Sequence, residues 1–356
     1  MLKRRERSTG DIVQDVEESI MSPVEKKVDD RILIPTGSAM LNLACSDNIR
    51  GGYSPGRIVN LIGDSSSGKT LLALSMLAEV ANKEQFDDYR LIFDDAEAAL
   101  EFNIDYLFGS VAADRIETNN FSVTIEDYYG NVLKAIDKGE PFIYVLDSFD
   151  SITALDEIKR SNQYRDDKKN DKGSYKTEKA RMSSEILRVI RGDINSTKSL
   201  VLVISQTRDN LGFGAMFQPK VRSGGKALKF YCSHEIWLAV GKKDKVKDLE
   251  IGVEVFAKVS KNKLTGKRRN VIFPIYYDYG ADDITSCINY LIENKVWKQP
   301  KQKINTEGFI EDEFTVKKLI KVIEEEDLED DLLDLTQRAW TDKEDSVKLN
   351  RKRKYA

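Results

Sequence analysis

Residues 63–70 read Gly63-Asp64-Ser65-Ser66-Ser67-Gly68-Lys69-Thr70, set between Arg57-Ile58-Val59-Asn60-Leu61-Ile62 and Leu71-Leu72-Ala73-Leu74-Ser75-Met76-Leu77-Ala78. The pattern is G-x-x-x-x-G-K-[ST], and its flanks decide how it is read. The apolar run ahead predicts a buried strand, and the Leu/Ala-rich run behind predicts a helix. Gly63 and Gly68 let the backbone form a concave nest of inward N–H groups, to which the helix start near Lys69 adds its positive end. Lys69 supplies a mobile cation for the β- and γ-phosphates. The Thr70 hydroxyl suits Mg²⁺, which keeps most of its waters. Asp64, Ser65, Ser66, Ser67 and Leu71 complete the set expected to contact a nucleoside triphosphate.

Further hydrophobic runs recur outward from this loop, at Arg90–Asp94, Phe142–Asp147, Leu200–Ser205 and Glu235–Val240, with helical stretches between them. Near-continuous apolar strands alternating with helices predict an α/β fold whose mostly parallel central sheet is covered on both faces. Val253–Ser260 and Asn270–Tyr276, joined across Leu264-Thr265-Gly266, alternate more and predict an antiparallel hairpin at the sheet edge. Ile284–Lys295 predicts a helix. A small C-terminal segment follows Pro300, with one helical stretch near Phe314–Glu326. The expected organisation is an N-terminal segment over 1–32 with one amphipathic docking helix (Ile12, Val13, Val16, Ile20), a core over 33–297, a small domain over 298–346 and a basic tail over 347–356.

Three strand ends carry the remaining chemistry. Phe142-Ile143-Tyr144-Val145-Leu146-Asp147 is an apolar strand closed by an acid, and Asp147 is expected beside the Mg²⁺ shell. Ile92-Phe93-Asp94-Asp95-Ala96-Glu97 places Glu97 as the candidate to polarise an attacking water, with Asp94 and Asp95 as a capping pair that orients the turn. Gln206 closes Leu200–Ser205 and can sense the γ-phosphate. Thr207 to Gly225 follows, nineteen residues without a clear period, and a loop this long is either functional or a disordered insertion. Its Arg208, Lys220 and Arg222 and its glycines suit phosphates, while Leu211, Met216 or Phe217 can wedge against bases at about 1–3 kcal/mol each.

Composition excludes several classes. The 356 residues are 40% hydrophobic and 33% charged, without a run long enough for a membrane span. Cys45, Cys232 and Cys287 lack metal or redox spacing, which suits a reducing, cytoplasmic setting. The only histidine, His234, is expected at a surface or strand edge, so His/Asp/Ser catalysis and histidine zinc sites are excluded. The net charge of −4 conceals segregation. Residues 307–334 carry twelve acids and three bases, whereas Lys258–Arg269 carries six cations and no anion. Asp156–Arg181 holds nine cations against six anions, and Thr207–Lys229 five against one. That distribution is expected of a polyanion-binding core with a solvating tail, or of ordinary solvated faces.

Several stretches together resemble the bacterial RecA recombinases and the phage strand-exchange proteins of that superfamily over about residues 31–297. They are Thr36-Gly37-Ser38 with Gly52, Gly56 and Arg57; Phe93-Asp94-Asp95-Ala96-Glu97-Ala98-Ala99-Leu100; Asp147-Ser148; Ala180-Arg181-Met182; Gln206 with Arg208 and Leu211-Gly212; Gly224-Gly225-Lys226-Ala227-Leu228-Lys229-Phe230-Tyr231; and Lys261-Asn262-Lys263. The resemblance implies a RecA-like core that binds ATP and Mg²⁺ and polymerises head to tail on single-stranded DNA, then tests homologous double-stranded DNA for pairing. It implies a first DNA loop near 156–177 leading to Arg181, and a second over 207–225 that includes Gly212, Gly224, Gly225 and Lys226. It places Lys229, Phe230, Lys261 and Lys263 against the nucleotide of a neighbouring subunit. Tyr106 is the candidate adenine contact. Partners implied are the chain itself, both forms of DNA, and single-strand-binding and mediator proteins, with no membrane, in the cytoplasm of a host if phage-encoded. The first loop is unusually charged, the second about one residue longer than in the family, and the basic end Arg351-Lys352-Arg353-Lys354 has no counterpart there. Two rivals share the core: an accessory that loads another recombinase, and a ring-forming helicase or motor. The latter commonly uses a trans arginine, against which Lys261-Asn262-Lys263 favours the recombinase arrangement.

Overall fold

In the computed structural model of this protein, residues 32–159, 175–209, 220–222, 225–310 and 312–352 are described. The N-terminal helix expected within 1–32, the greater part of the first loop and the tip of the second lie outside them.

The central sheet grows from β1 (Arg57–Gly63), β2 (Arg90–Asp95), β3 (Ile116–Asn120), β4 (Phe142–Asp147) and β5 (Leu200–Asp209). These strands are parallel, in the order β1-β5-β4-β2-β3. β7 (His234–Val246) joins β1 in parallel, after which β8 (Leu249–Asn262), β9 (Asn270–Tyr276) and β10 (Gly280–Ala281) extend the sheet antiparallel to the far edge. Lys247 and Asp248, both at positive φ, join β7 to β8 across the Val246–Leu249 pair. That is the two-residue turn whose twist matches a hairpin.

Both faces of β1, β2, β4 and the first half of β5 are buried, which is why they read as apolar runs, whereas the edge strand β3 is largely exposed and polar. Along β5, Leu200, Leu202 and Ile204 enter one core, and Val201 and Val203 the other. The first core is closed by α1 (Ala39–Ser46), α2 (Lys69–Ala81) and α8 (Asp283–Glu293). The second is closed by α5 (Ile125–Asp137), α6 (Tyr175–Ser196) and α7 (Gly225–Tyr231). The short helices α3 (Ile104–Phe108) and α4 (Ser110–Arg115) bridge β2 to β3.

Four expectations are corrected. His234 is not at the surface: it is 1% exposed, with its ring between Ser233 Oγ and the Cys45 carbonyl, and burial holds its pKa down to about 4. The segment after Gln206 is not irregular from its start, because β5 runs to Asp209 and pairs antiparallel with β6 (Lys220–Arg222). The strand read as Glu235–Val240 continues to Val246, its second half being a polar ribbon that an apolar count does not detect. The C-terminal segment holds two helices, α9 (Val316–Glu325) and α10 (Glu329–Ser346), beside the small β11 (Ile304–Asn305) and β12 (Glu313–Phe314) hairpin. The acidic start of α10 masks its sparse apolar face of Leu332, Ala339 and Trp340, all buried in the first core.

Candidate nucleotide site and its catalytic shell

Strand register alone brings the site together. Gly63 is level with Gln206 across β1 and β5, and Asp95 is level with Asp147 across β2 and β4. All four stand at the carboxyl edge of the parallel strands, where open α/β sheets bind ligands.

The loop's shape follows from its glycines. A Cβ on Gly63 would lie 2.4 Å from Ser67 Oγ and 2.9 Å from the Leu238 carbonyl. Gly68 has φ +79° and packs so closely that a Cβ would meet Ile275 Cδ1 at 2.8 Å. Gly68 is also the N-cap of α2, and no side chain caps that helix, whereas Thr124, Asp282 and Thr315 cap α5, α8 and α9. The uncapped first-turn N–H groups are donors for an anion. Lys69, 8% exposed, folds its Nζ onto the Asp64 carbonyl at 2.6 Å and Ser67 Oγ at 3.4 Å, and burial lowers its pKa. Ser65 and Ser66 are exposed, while Leu71 is buried in the core beneath the loop.

Thr70 Oγ1 donates to Asp147 Oδ2 at 2.5 Å. Burial raises the Asp147 carboxyl to about 6, against the opposing Thr70 hydrogen bond and with Glu97 adding to the rise. A buried carboxylate next to a hydroxyl oxygen is a hard donor pair, and it fits Mg²⁺ held by one or two protein oxygens, phosphate and waters. Among the described residues no group of three or more His, Cys, Asp or Glu side chains forms a metal cage, as that mode of binding requires none.

Glu97 is the hub of the next layer. Its Oε1 accepts from Gln206 Nε2 at 2.9 Å and Ser148 Oγ at 2.7 Å, with Ser151 Oγ at 3.4 Å, and its N–H donates to the Asp147 carbonyl at 3.1 Å. The Gln206 N–H donates to Asp150 Oδ2 at 2.7 Å, and Thr207 Oγ1 bonds Asp64 of the phosphate loop. Asp94 and Asp95 play separate parts. Asp95 caps the turn through the N–H groups of Ala99 and Leu100, while Asp94 is wholly buried against Ser122 and Tyr144. Asp150 and Ser151 escaped the sequence reading, and Ser148 entered it only beside Asp147, without a role. Their only signal was the polar run Asp147-Ser148-Phe149-Asp150-Ser151 directly after an acid-ended strand.

The lysine pair stands elsewhere. Lys261 is level with Glu235, and Glu235 with Asn60, three residues or roughly 10 Å below Gly63 along the sheet. Lys263 continues away, its N–H bonding the Ser233 carbonyl while the Ser233 N–H bonds that of Ile58. Lys261 Nζ caps the end of α7 through the carbonyls of Lys229 and Phe230, and the Phe230 ring is 69% exposed. Lys229, Phe230 and Lys261 thus form one group, with Lys263 two residues on, level with the middle and start of β1 and roughly 10 Å or more from their own phosphate loop.

Tyr106 is 74% exposed on α3, its N–H bonded to Asn103, and no described contact joins its ring to the loop. Arg181 is exposed on α6 and paired with Glu185 at 2.9 Å. Arg208 lies opposite Val221, and Lys220 and Arg222 lie on β6, so the segment expected as the second loop springs from a β-ribbon that begins at Thr207, next to Gln206. Gly225 and Lys226 open α7. Leu211, Gly212, Met216, Phe217 and Gly224 lie outside the described residues.

The family model for the RecA N-terminal domain matches residues 11–282. The chain belongs to the RecA family. Among its RecA relatives, the protein named Protein RecA of Sulfurovum sp. is 30% identical over 280 residues, 77% of this chain and 74% of the relative. Those of Wolinella succinogenes and Caulobacter vibrioides are 31% and 32% identical over 271 and 277 residues, or 75% and 76% of this chain and 71% of each relative. The RecA model stops before α8, so α9 and α10 lie beyond it. No described helix is long and apolar enough to cross a membrane.

Proposed function

We propose that this RecA-family chain is an ATP-dependent recombinase that assembles head to tail on single-stranded DNA, hydrolyses ATP in response to it, and pairs it with homologous duplex DNA. One observation carries the reading. Lys261 and Lys263 lie roughly 10 Å or more from their own phosphate loop along the sheet, which supports their serving a triphosphate in a neighbouring copy.

On this reading, Gly63–Thr70 and Leu71 cradle ATP, with Lys69 leaving the Asp64 carbonyl for phosphate oxygens. Thr70 and Asp147 would hold Mg²⁺, which would supply neutralisation of phosphate charge. Glu97 orients and polarises the attacking water, and the lysines arriving from the next subunit neutralise charge that develops on the γ-phosphate. Gln206 contacts both Glu97 and the root of the second loop, which supports coupling of nucleotide state to DNA affinity. Arg181, Arg208, Leu211, Gly212, Met216, Phe217, Lys220, Arg222, Gly224, Gly225 and Lys226 are the proposed DNA contacts. Phe230 and Lys229 belong to the subunit seam, and Tyr106 stacks on adenine. The domain division at 32, 297 and 346 is proposed with them.

Electron microscopy with single-stranded DNA and a non-hydrolysable ATP analogue tests the assembly. A helical filament is expected; closed rings would favour a helicase or motor, and isolated subunits an accessory. Affinity for single-stranded DNA should fall steeply with salt through counterion release. A flat response would remove the basic loops as the DNA site.

A further inference from the structure

The first loop leads into α6, and Lys179, the fifth residue of that helix, reaches back towards Glu97 and Gln206. Lys179 Nζ donates to the Phe149 carbonyl at 2.7 Å and to the Ile152 carbonyl, and its ammonium lies 4.6 Å from the centre of the Phe149 ring. Phe149 and Ile152 are 4% and 1% exposed, so the clamp closes over the turn's two buried apolar residues, while Ser151 between them is exposed. That turn carries Asp150, whose carboxylate accepts from the Gln206 N–H, and Ser151, which reaches Glu97. Ser148 and Glu97 adjoin it at 2.7 Å. A chain of short contacts therefore runs from the foot of α6 to the amide and the carboxylate expected to face the γ-phosphate.

We propose that Lys179 is a positioning residue that couples contact of the first loop with DNA to the alignment of Gln206 and Glu97. The inference rests on the recombinase reading for the loop's role. The physical basis is local. An ammonium bonded to two carbonyls of one turn fixes that turn's distance from the helix, and charge-assisted hydrogen bonds of this kind are shorter and stronger than neutral ones. A shift of the α6 start is then transmitted to Asp150 and Gln206, whereas an apolar side chain at 179 would leave the turn free of it. Because coupling between two binding sites is reciprocal, the same clamp should let nucleotide state act on DNA affinity.

Two ratios test this in the full-length protein, with Lys179→Met and the milder Lys179→Gln. One is ATP turnover with saturating oligodeoxythymidine over turnover without it. The other is affinity for the same oligonucleotide with a non-hydrolysable ATP analogue over that with ADP. Both ratios should shrink by about fivefold or more in Lys179→Met, with Lys179→Arg retaining most of each. Affinity in the ADP state should stay within about threefold of wild type. Wild-type ratios in both substitutions overturn the proposal, as does an ADP-state affinity that collapses, which would make Lys179 a DNA ligand. If Lys179→Met fails to fold, Lys179→Gln decides by the same ratios. Should the wild-type protein show no stimulation by DNA, the recombinase reading falls and this inference with it; should only the variants match a stimulated wild type, the inference falls alone.

Discussion

Gln206 Nε2 donates to Glu97 Oε1 at 2.9 Å, joining two residues 109 positions apart in the chain. The amide comes from the end of β5 and the carboxylate from the turn after β2, with Asp147 of β4 lying between these strands. The contact makes Glu97 part of a bonded set, so its orientation depends on where β5 leads.

Replacing Glu97 with Gln should therefore preserve the shape of the shell and remove its basic oxygen. Phosphate release at saturating ATP and DNA is expected to fall about 10²–10⁴-fold, the range for loss of a general base. Nucleotide binding, followed by a fluorescent ATP analogue, should persist. Near-normal turnover would assign the water-activating role elsewhere.

Gly63→Ala would place a methyl 2.4 Å from Ser67 Oγ and 2.9 Å from a backbone carbonyl that cannot move aside cheaply. Overpacking of this kind costs about 1–3 kcal/mol. Nucleotide affinity should weaken about tenfold to a hundredfold, if the cost falls on the bound shape of the loop. Equilibrium titration with ATP checks this, and unchanged affinity would show that the loop binds in another conformation.

Lys261→Ala with Lys263→Ala should leave nucleotide binding by isolated subunits nearly intact. Turnover on DNA is expected to fall about 10²–10³-fold, the loss typical of a donor aimed at developing charge. A matching collapse of nucleotide affinity in dilute protein would mean that the lysines act within their own subunit.

Two groups shifted by desolvation, buried His234 and half-buried Asp283, should give the apoprotein's stability opposing pH slopes. Burial holds His234 at about 4 against its ordinary 6.5, so the unfolded chain takes up a proton that the folded one refuses, and stability falls as pH drops from 6.5 towards 4. Asp283 behaves oppositely. Burial, with Glu79 adding, raises its carboxyl from 3.8 to about 7, so the folded state retains a proton there and loses stability as pH rises through that window. Thermal unfolding from pH 4.5 to 7.5 should show a steeper rise with pH in Asp283→Asn and a shallower one in His234→Gln. Parallel curves for all three proteins would refute both assignments.

Much of this architecture was legible in the linear chain because its causes are local or periodic. The phosphate loop needs glycines at fixed spacing before a helix, and strands covered on both faces need unbroken apolar runs; both can be read directly. Asp147, Glu97 and Gln206 could be singled out because each ends or follows such a run. Less legible were residues whose role comes from neighbours distant in sequence. His234 lay among strand formers, but only the packing of α1 against the start of β7 and the end of β8 buries it beside Cys45 and Asn262. Trp340 likewise stands in an acidic stretch, and its indole N–H finds Asp47 across the fold at 3.1 Å.

The sequence by itself determined that a triphosphate cradle opens a helix after a buried strand, since the dihedral freedom of glycine and hydrophobic periodicity are properties of the chain. Tertiary structure alone decided which strand ends meet. The order β1-β5-β4-β2 brings Gln206, Asp147 and Glu97 together beside the glycine loop, and the antiparallel run of β8 carries Lys261 and Lys263 away from it. Register and strand direction are relations between segments, set by how two apolar faces are buried together, and no single stretch of sequence contains them.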